Sequence, residues 1–259
     1  MLIAITREVS PRITECELTH LTRKPIDLKR AQRQHRQYEA LLEELGCKLI
    51  RLPAESALPD SVFVEDTAVV LDELAVITRP GAESRRAETA SVANVLKQYR
   101  KLFYIDPPGT LDGGDVLRVG KKLYVGLSKR SNREGIEQLQ RILSPLGYVV
   151  NAVKLHDCLH LKSAVTQVAV NTLLINRSWT DAPIFNDYQL IDVASSEPFA
   201  ANALLVGDTL IYSEAFSETR KRLQEKGIKI RTVNASELAK AEGGVTCCSL
   251  IIPDAVTFA

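Results

Sequence analysis

The 259-residue sequence has no apolar run close to the roughly 20 residues needed for a membrane helix, so a helical span is not expected. It also lacks a dominant charge. Thirty-three basic residues stand against 32 acidic ones with no long single-sign block, which argues against nucleic acid or an anionic membrane as the main partner. The opening MLIAITREVS does not follow the basic-then-apolar order of a signal peptide, and a cytoplasmic location is the expectation. Cysteine is scarce: Cys16, Cys47, Cys158, Cys247 and Cys248 form an odd set without CxxC spacing, so neither a disulfide framework nor a zinc site is expected. Four histidines, none spaced near an acidic cluster, make a poor transition-metal donor set. No Pro/Gly/Ser-rich linker interrupts the chain, and residues 1–259 are expected to form one domain.

What is present is a core-sized supply of apolar residues, 45% of the chain, arranged in a weak repeat. Two apolar runs flank a polar turn in AVVLDELAVIT (68–78), DVLRVGKKLYVGL (115–127), QVAVNTLLINR (167–177) and NALLVGDTLIYS (202–213). Their central Asp-Glu, Gly-Lys, Asn-Thr and Gly-Asp pairs suit hairpin turns. A fifth run, CCSLII (247–252), has no partner after it, and the N-terminal MLIAITREV can supply one. Helical patterns fill several gaps, most clearly Ser131 to Leu146 with a Ser131/Glu134 capping box, and Asp27 to Leu45 followed by Gly46. Segments 83–99 and 217–226 carry weaker helical patterns. Units recurring every ~45 residues fit a propeller, with an open α/β sheet as the plainer alternative. A ring closed by its first and last strands leaves no free sheet edge at the seam.

Each hairpin is preceded or opened by a polar position: Glu65-Asp66, Asp112, His160, Asn202 and Cys247. If the hairpins are blades about one axis, these residues meet. Cys247 follows a Gly-Gly pair at a strand entrance, and a cysteine with a distant histidine is a standard activated nucleophile. Cys247 and Cys248 should face opposite ways, one of them into the core. Asp60, Glu65 and Asp66 crowd a strand start that ought to be apolar, an arrangement that calls for a cation, and guanidinium matches paired carboxylates well. Arg85 and Arg130 follow the first two hairpins and could hold a substrate carboxylate if they converge.

Taken together, FVED (63–66), RPGAESRR (79–86), LDGGDV (111–116), LHLKS (159–163) and GGVTCCS (243–249) resemble, in this order, the dimethylarginine dimethylaminohydrolases of the guanidine-modifying superfamily. The resemblance implies a five-bladed α/β-propeller with its site on the pseudo-fivefold axis and neither metal nor organic cofactor. It also implies a catalytic set of Cys247, His160 and Asp112. Substrate ligands would be Leu18, Asp60, Glu65, Asp66, Arg85 and Arg130, and Glu242 stands where the family often has Asp. The implied partner is a small molecule, a methylated arginine converted to citrulline through a Cys-thiouronium intermediate, and homodimer formation is compatible with it. A deiminase acting on arginine or agmatine, or a non-catalytic binder of arginine derivatives, are the alternatives. Arg85 and Arg130 argue against agmatine, which has no carboxylate.

Overall fold

The computed structural model describes residues 1–253. Among these residues fifteen strands form five three-stranded sheets, each with the same internal order. In blade 2, β3 (Ala68–Val70) pairs antiparallel with β4 (Leu74–Ile77), which pairs parallel with β5 (Lys101–Tyr104). Blade 3 repeats this with β6 (Val116–Val119), β7 (Lys122–Leu127) and β8 (Val149–Lys154). Blade 4 uses β9 (Val165–Ala169), β10 (Thr172–Ile175) and β11 (Gln189–Asp192), and blade 5 uses β12 (Leu204–Val206), β13 (Thr209–Ser213) and β14 (Lys229–Val233). Blade 1 joins the two ends of the chain. There β1 (Leu2–Arg7) pairs antiparallel with β15 (Leu250–Pro253) and parallel with β2 (Cys47–Leu52).

The middle strand of each blade is buried on both faces, and successive side chains therefore feed different cores. In β7, Leu123 and Val125 enter the core shared with blade 2, while Tyr124 enters the core shared with blade 4. In β10, Leu173 and Ile175 pack toward blade 3 and Leu174 toward blade 5. Ile3 and Ile5 of β1 pack toward blade 2, and Ala4 toward blade 5. Five such cores, one between each pair of neighbours, close the ring. The expected five-bladed α/β-propeller is thus the observed architecture. Each fully buried Leu, Ile or Val contributes about 1.5–3 kcal/mol, so the seams between blades carry most of the fold's apolar stabilisation. The five inner strands β3, β6, β9, β12 and β15 line a common axial cavity of about 240 Å³.

Most crossovers are helical: α1 (Leu28–Glu44), α2 (Thr89–Leu96), α3 (Arg133–Leu143) and α5 (Ser217–Glu225), with a short 3₁₀ turn, Ala182–Phe185, in blade 4. A single turn, α4 (Leu161–Ala164), precedes β9. Asp27 caps α1 through Arg30 N–H, and Asn132 caps α3 through Gly135 N–H. The α3 cap is therefore Asn132 and not Ser131, whose hydroxyl is committed to Asp115 and to the amide of Asp112. The expected 83–99 helix divides into a 3₁₀ segment, Glu83–Glu88, and α2. Three of the four hairpin turns use the left-handed region, at Gly120 (φ 60°), Asn171 (φ 54°) and Gly207 (φ 60°). No helix among the described residues is long and apolar enough to cross a membrane.

Candidate active site

Because every blade has the same topology, the residue just before each inner strand arrives at the same end of the axis. Glu65 and Asp66 lie in the 3₁₀ turn before β3, Asp112 precedes the turn before β6, His160 immediately precedes α4 and β9, and Asn202 precedes β12. Cys247 lies in a turn, not in the strand itself: β15 begins only at Leu250. That turn is tied down by Cys247 N–H to Gly244 O at 3.2 Å and by Glu65 N–H to Cys247 O at 3.1 Å. Cys247 is half-buried, whereas the other four thiols are buried. Cys248 turns into the core formed by α1, blade 5 and blade 1, as one of the pair was expected to do.

His160 is buried among acids. Its Nε2 lies 3.0 Å from Asp112 Oδ2, and Nδ1 lies 3.8 Å from Asp66 Oδ1. Asp112 is held in turn by the amide N–H of Gly81 at 2.9 Å. Burial favours neutral imidazole, but Asp66 and the hydrogen bond to Asp112 outweigh it and push the His160 pKa up to about 9. Gly114 makes this packing feasible: a Cβ there would fall 2.7 Å from both Asp66 Oδ1 and His160 Nδ1. Beneath, Asp115 braces the arrangement by accepting from Ser128, Ser131 and Leu161 N–H at 2.6, 2.7 and 3.0 Å. Burial raises its carboxyl to about 6.

The acidic pair draws cations from within the protein. Glu65 Oε1 meets Lys162 Nζ at 2.6 Å and Oε2 accepts from the Thr246 hydroxyl at 2.7 Å. Asp66 meets Arg85 at 2.6 Å and accepts from Gly114 N–H at 2.9 Å. Burial would raise the Asp66 pKa, but His160 and Arg85 hold it below the usual carboxylate range. Near these acids the Cys247 thiol is pushed up to about 12, first by burial and then by Glu65 and Asp66. Both shifts act in the same sense, favouring a protonated thiol beside an imidazolium.

Asp66, Asp112 and His160 place ligand atoms within 4.8 Å of one another. Their lone pairs are largely committed to Arg85, Gly114, Gly81 and one another, so the cluster is closed by protein donors.

The two arginines, expected to face a substrate carboxylate together, have different partners within the protein. Arg85 is buried and directs its donors to Asp66, to Glu88 at 2.8 Å and to Phe63 O at 3.2 Å, because two nearby carboxylates compete for it. Arg130 donates to Thr19 Oγ1 at 3.1 Å, and its buried Nη1 has no hydrogen-bond partner among the described residues. Asp60 is buried near both and accepts from Glu17 N–H at 3.0 Å; burial raises its pKa. Leu18 is partly buried against the neighbouring core. Glu242 clasps the same loop, accepting from the amides of Thr19, His20 and Leu21 at 2.9, 2.6 and 2.6 Å. Lys162 and Thr246, which hold Glu65, carry no local signal in the sequence beyond lying inside LHLKS and GGVTCCS.

Known proteins resemble this chain along most of its length. A protein of Streptomyces coelicolor named N(G),N(G)-dimethylarginine dimethylaminohydrolase is 39% identical over 249 residues, covering 95% of each chain. The enzyme of the same name from Pseudomonas aeruginosa is 36% identical over 226 residues, covering 86% of this chain and 89% of its own. The chain belongs to the dimethylarginine dimethylaminohydrolase family. Residues 56–199 also match the family model described as arginine deiminase. Among solved structures, the Pseudomonas aeruginosa enzyme as a cysteine-to-serine variant with citrulline superposes with a TM-score of 0.92, at 33% identity, covering 96% of this chain and 98% of that one. A dimethylarginine dimethylaminohydrolase with histidine replaced by glycine, an adduct with S-methyl-L-thiocitrulline, gives 0.91 at 33% identity, covering 97% and 100%.

Proposed function

We propose that this chain is a one-domain hydrolase converting Nω-methylated arginines to citrulline and a methylamine, with Cys247 as nucleophile. The observation that carries the reading is Cys247, the one cysteine that is not fully buried, at an axis where His160, Asp112, Glu65 and Asp66 converge. The citrulline complex and thiocitrulline adduct of the family's solved structures support the substrate class.

Glu65 and Asp66 orient the guanidinium cation, and its positive charge offsets the acids that hold the Cys247 proton, so binding is accompanied by release of that proton to solvent while His160 stays protonated. The thiolate then adds to the guanidinium carbon. With Nε2 held by Asp112, Nδ1 is the nitrogen of His160 left to protonate the departing methylamine. A thiouronium on Cys247 remains. Water, deprotonated by the now neutral His160, attacks it, and citrulline leaves as the thiolate is restored. Arg130, with its unpartnered Nη1, is the better placed arginine for a substrate carboxylate, while Arg85 sets Asp66. Fixing sulfur against carbon in this way contributes at most roughly 7–11 kcal/mol to catalysis.

The match to the arginine deiminase model favours one second reading, release of ammonia from arginine itself. Parallel assays of citrulline, methylamine and ammonia across arginine, mono- and dimethylarginine and agmatine decide between them. Faster turnover of methylarginines is expected, and ammonia release from arginine outpacing methylamine release would overturn the proposal.

A further inference from the structure

Of the five polar positions that meet at the axis, Asn202 alone takes no part in the chemistry above. Its hydrogen bonds are nevertheless specific. Oδ1 accepts from Thr246 N–H at 3.1 Å, and Nδ2 donates to Thr246 Oγ1 at 3.0 Å and to Lys162 O at 3.1 Å. This network fixes the amide's orientation, since a flip would set oxygen against the Lys162 carbonyl and nitrogen against the Thr246 amide. Gly244 completes the fit, because a Cβ there would fall 2.3 Å from Asn202 Oδ1.

A threonine hydroxyl has a single hydrogen to give. With Asn202 donating to Thr246 Oγ1, that hydrogen is directed to Glu65 Oε2 at 2.7 Å, away from Cys247 Sγ at 3.9 Å. Lys162 Nζ holds the other Glu65 oxygen. Asn202 therefore contacts both residues that hold Glu65, one through its hydroxyl and one through its backbone. We propose that Asn202 is a positioning residue that sets the Thr246 hydroxyl and, through it, the Glu65 carboxylate that meets the cation. This rests on the assignment of Glu65 as a guanidinium ligand.

The test compares alkylation of Cys247 by neutral iodoacetamide and by cationic chloroacetamidine, whose rate ratio reports the cation subsite. Asn202→Ala, the similarly sized Asn202→Leu, Thr246→Val and Glu65→Gln are expected to lower the cation-to-neutral ratio by about tenfold, the worth of one charged hydrogen bond. Thr246→Ser should retain it. Asn202→Ala combined with Thr246→Val should fall no further than Thr246→Val alone. If Asn202 served only to hold the Cys247 turn, both reagents would slow by the same factor, and that result overturns the proposal. An additive loss in the double variant also overturns it. An unchanged ratio in Glu65→Gln removes the Glu65 assignment, whereas a loss there with none in the folded Asn202 variants removes only the role of Asn202.

Discussion

His160 shows how the site's electrostatics are built into the stability of the fold. An unperturbed histidine titrates near 6.5, while this one is raised to about 9 by Asp66 and Asp112. A folded-state pKa raised above the unfolded value contributes stability that is fully present below about pH 6.5 and is lost as pH rises through about 9. Thermal unfolding across this window should show wild type losing its advantage over His160→Gln, and parallel curves would contradict the assignment. Which residues matter was partly readable from the sequence. A histidine, a cysteine and acids before apolar strands are locally anomalous. The ion pair of Arg85 with Glu88 could not be read from the sequence, because Glu88 is an ordinary helix acid until the 3₁₀ segment turns both inward.

Among the elements, the loop containing Leu18 to Leu21 is held at its backbone by Glu242 and at Thr19 by Arg130. Glu242→Ala removes three acceptor contacts to a carboxylate on the partly exposed rim. KM for methylarginine is expected to rise about tenfold or more while the melting temperature changes little. An unchanged KM would show that the loop needs no such clasp. The hairpins were legible because their buried middle strands are continuous apolar runs beside Gly, Asn or Asp turns. The parallel outer strands β2, β5, β8, β11 and β14 were not. Sequences such as KLFY and QLID are short, half-exposed and mixed in polarity, so they resemble loops until a neighbouring strand pairs with them. The cap of α3 moved from Ser131 to Asn132 for a tertiary reason, since Ser131 is needed by Asp115.

At the scale of the molecule, the ring depends on blade 1, assembled from both ends of the chain. Ile252 of β15 lies opposite Ile3 of β1, is fully buried and belongs to the core between blades 1 and 2. Ile252→Ala should cost about 2–5 kcal/mol. Because every blade shares its two cores with two neighbours, the loss should shift one cooperative transition. Calorimetry resolving a separate early transition for part of the ring would contradict this. Ring closure also explains why residues as distant as Glu65 and Cys247 were expected together from a weak repeat. The approximate symmetry supplied the contact map that sequence separation conceals, but it could not show how the acids share Lys162 and Arg85.

The central claim is that Cys247 carries the reaction. The most direct measurement is acid quenching of wild type during turnover of a methylarginine, followed by fragmentation mass spectrometry of the peptide containing Cys247 and Cys248. A thiouronium mass on Cys247, absent from Cys247→Ser and retained in Cys248→Ser, is the predicted result. An adduct on Cys248, or turnover surviving in Cys247→Ser, would contradict it.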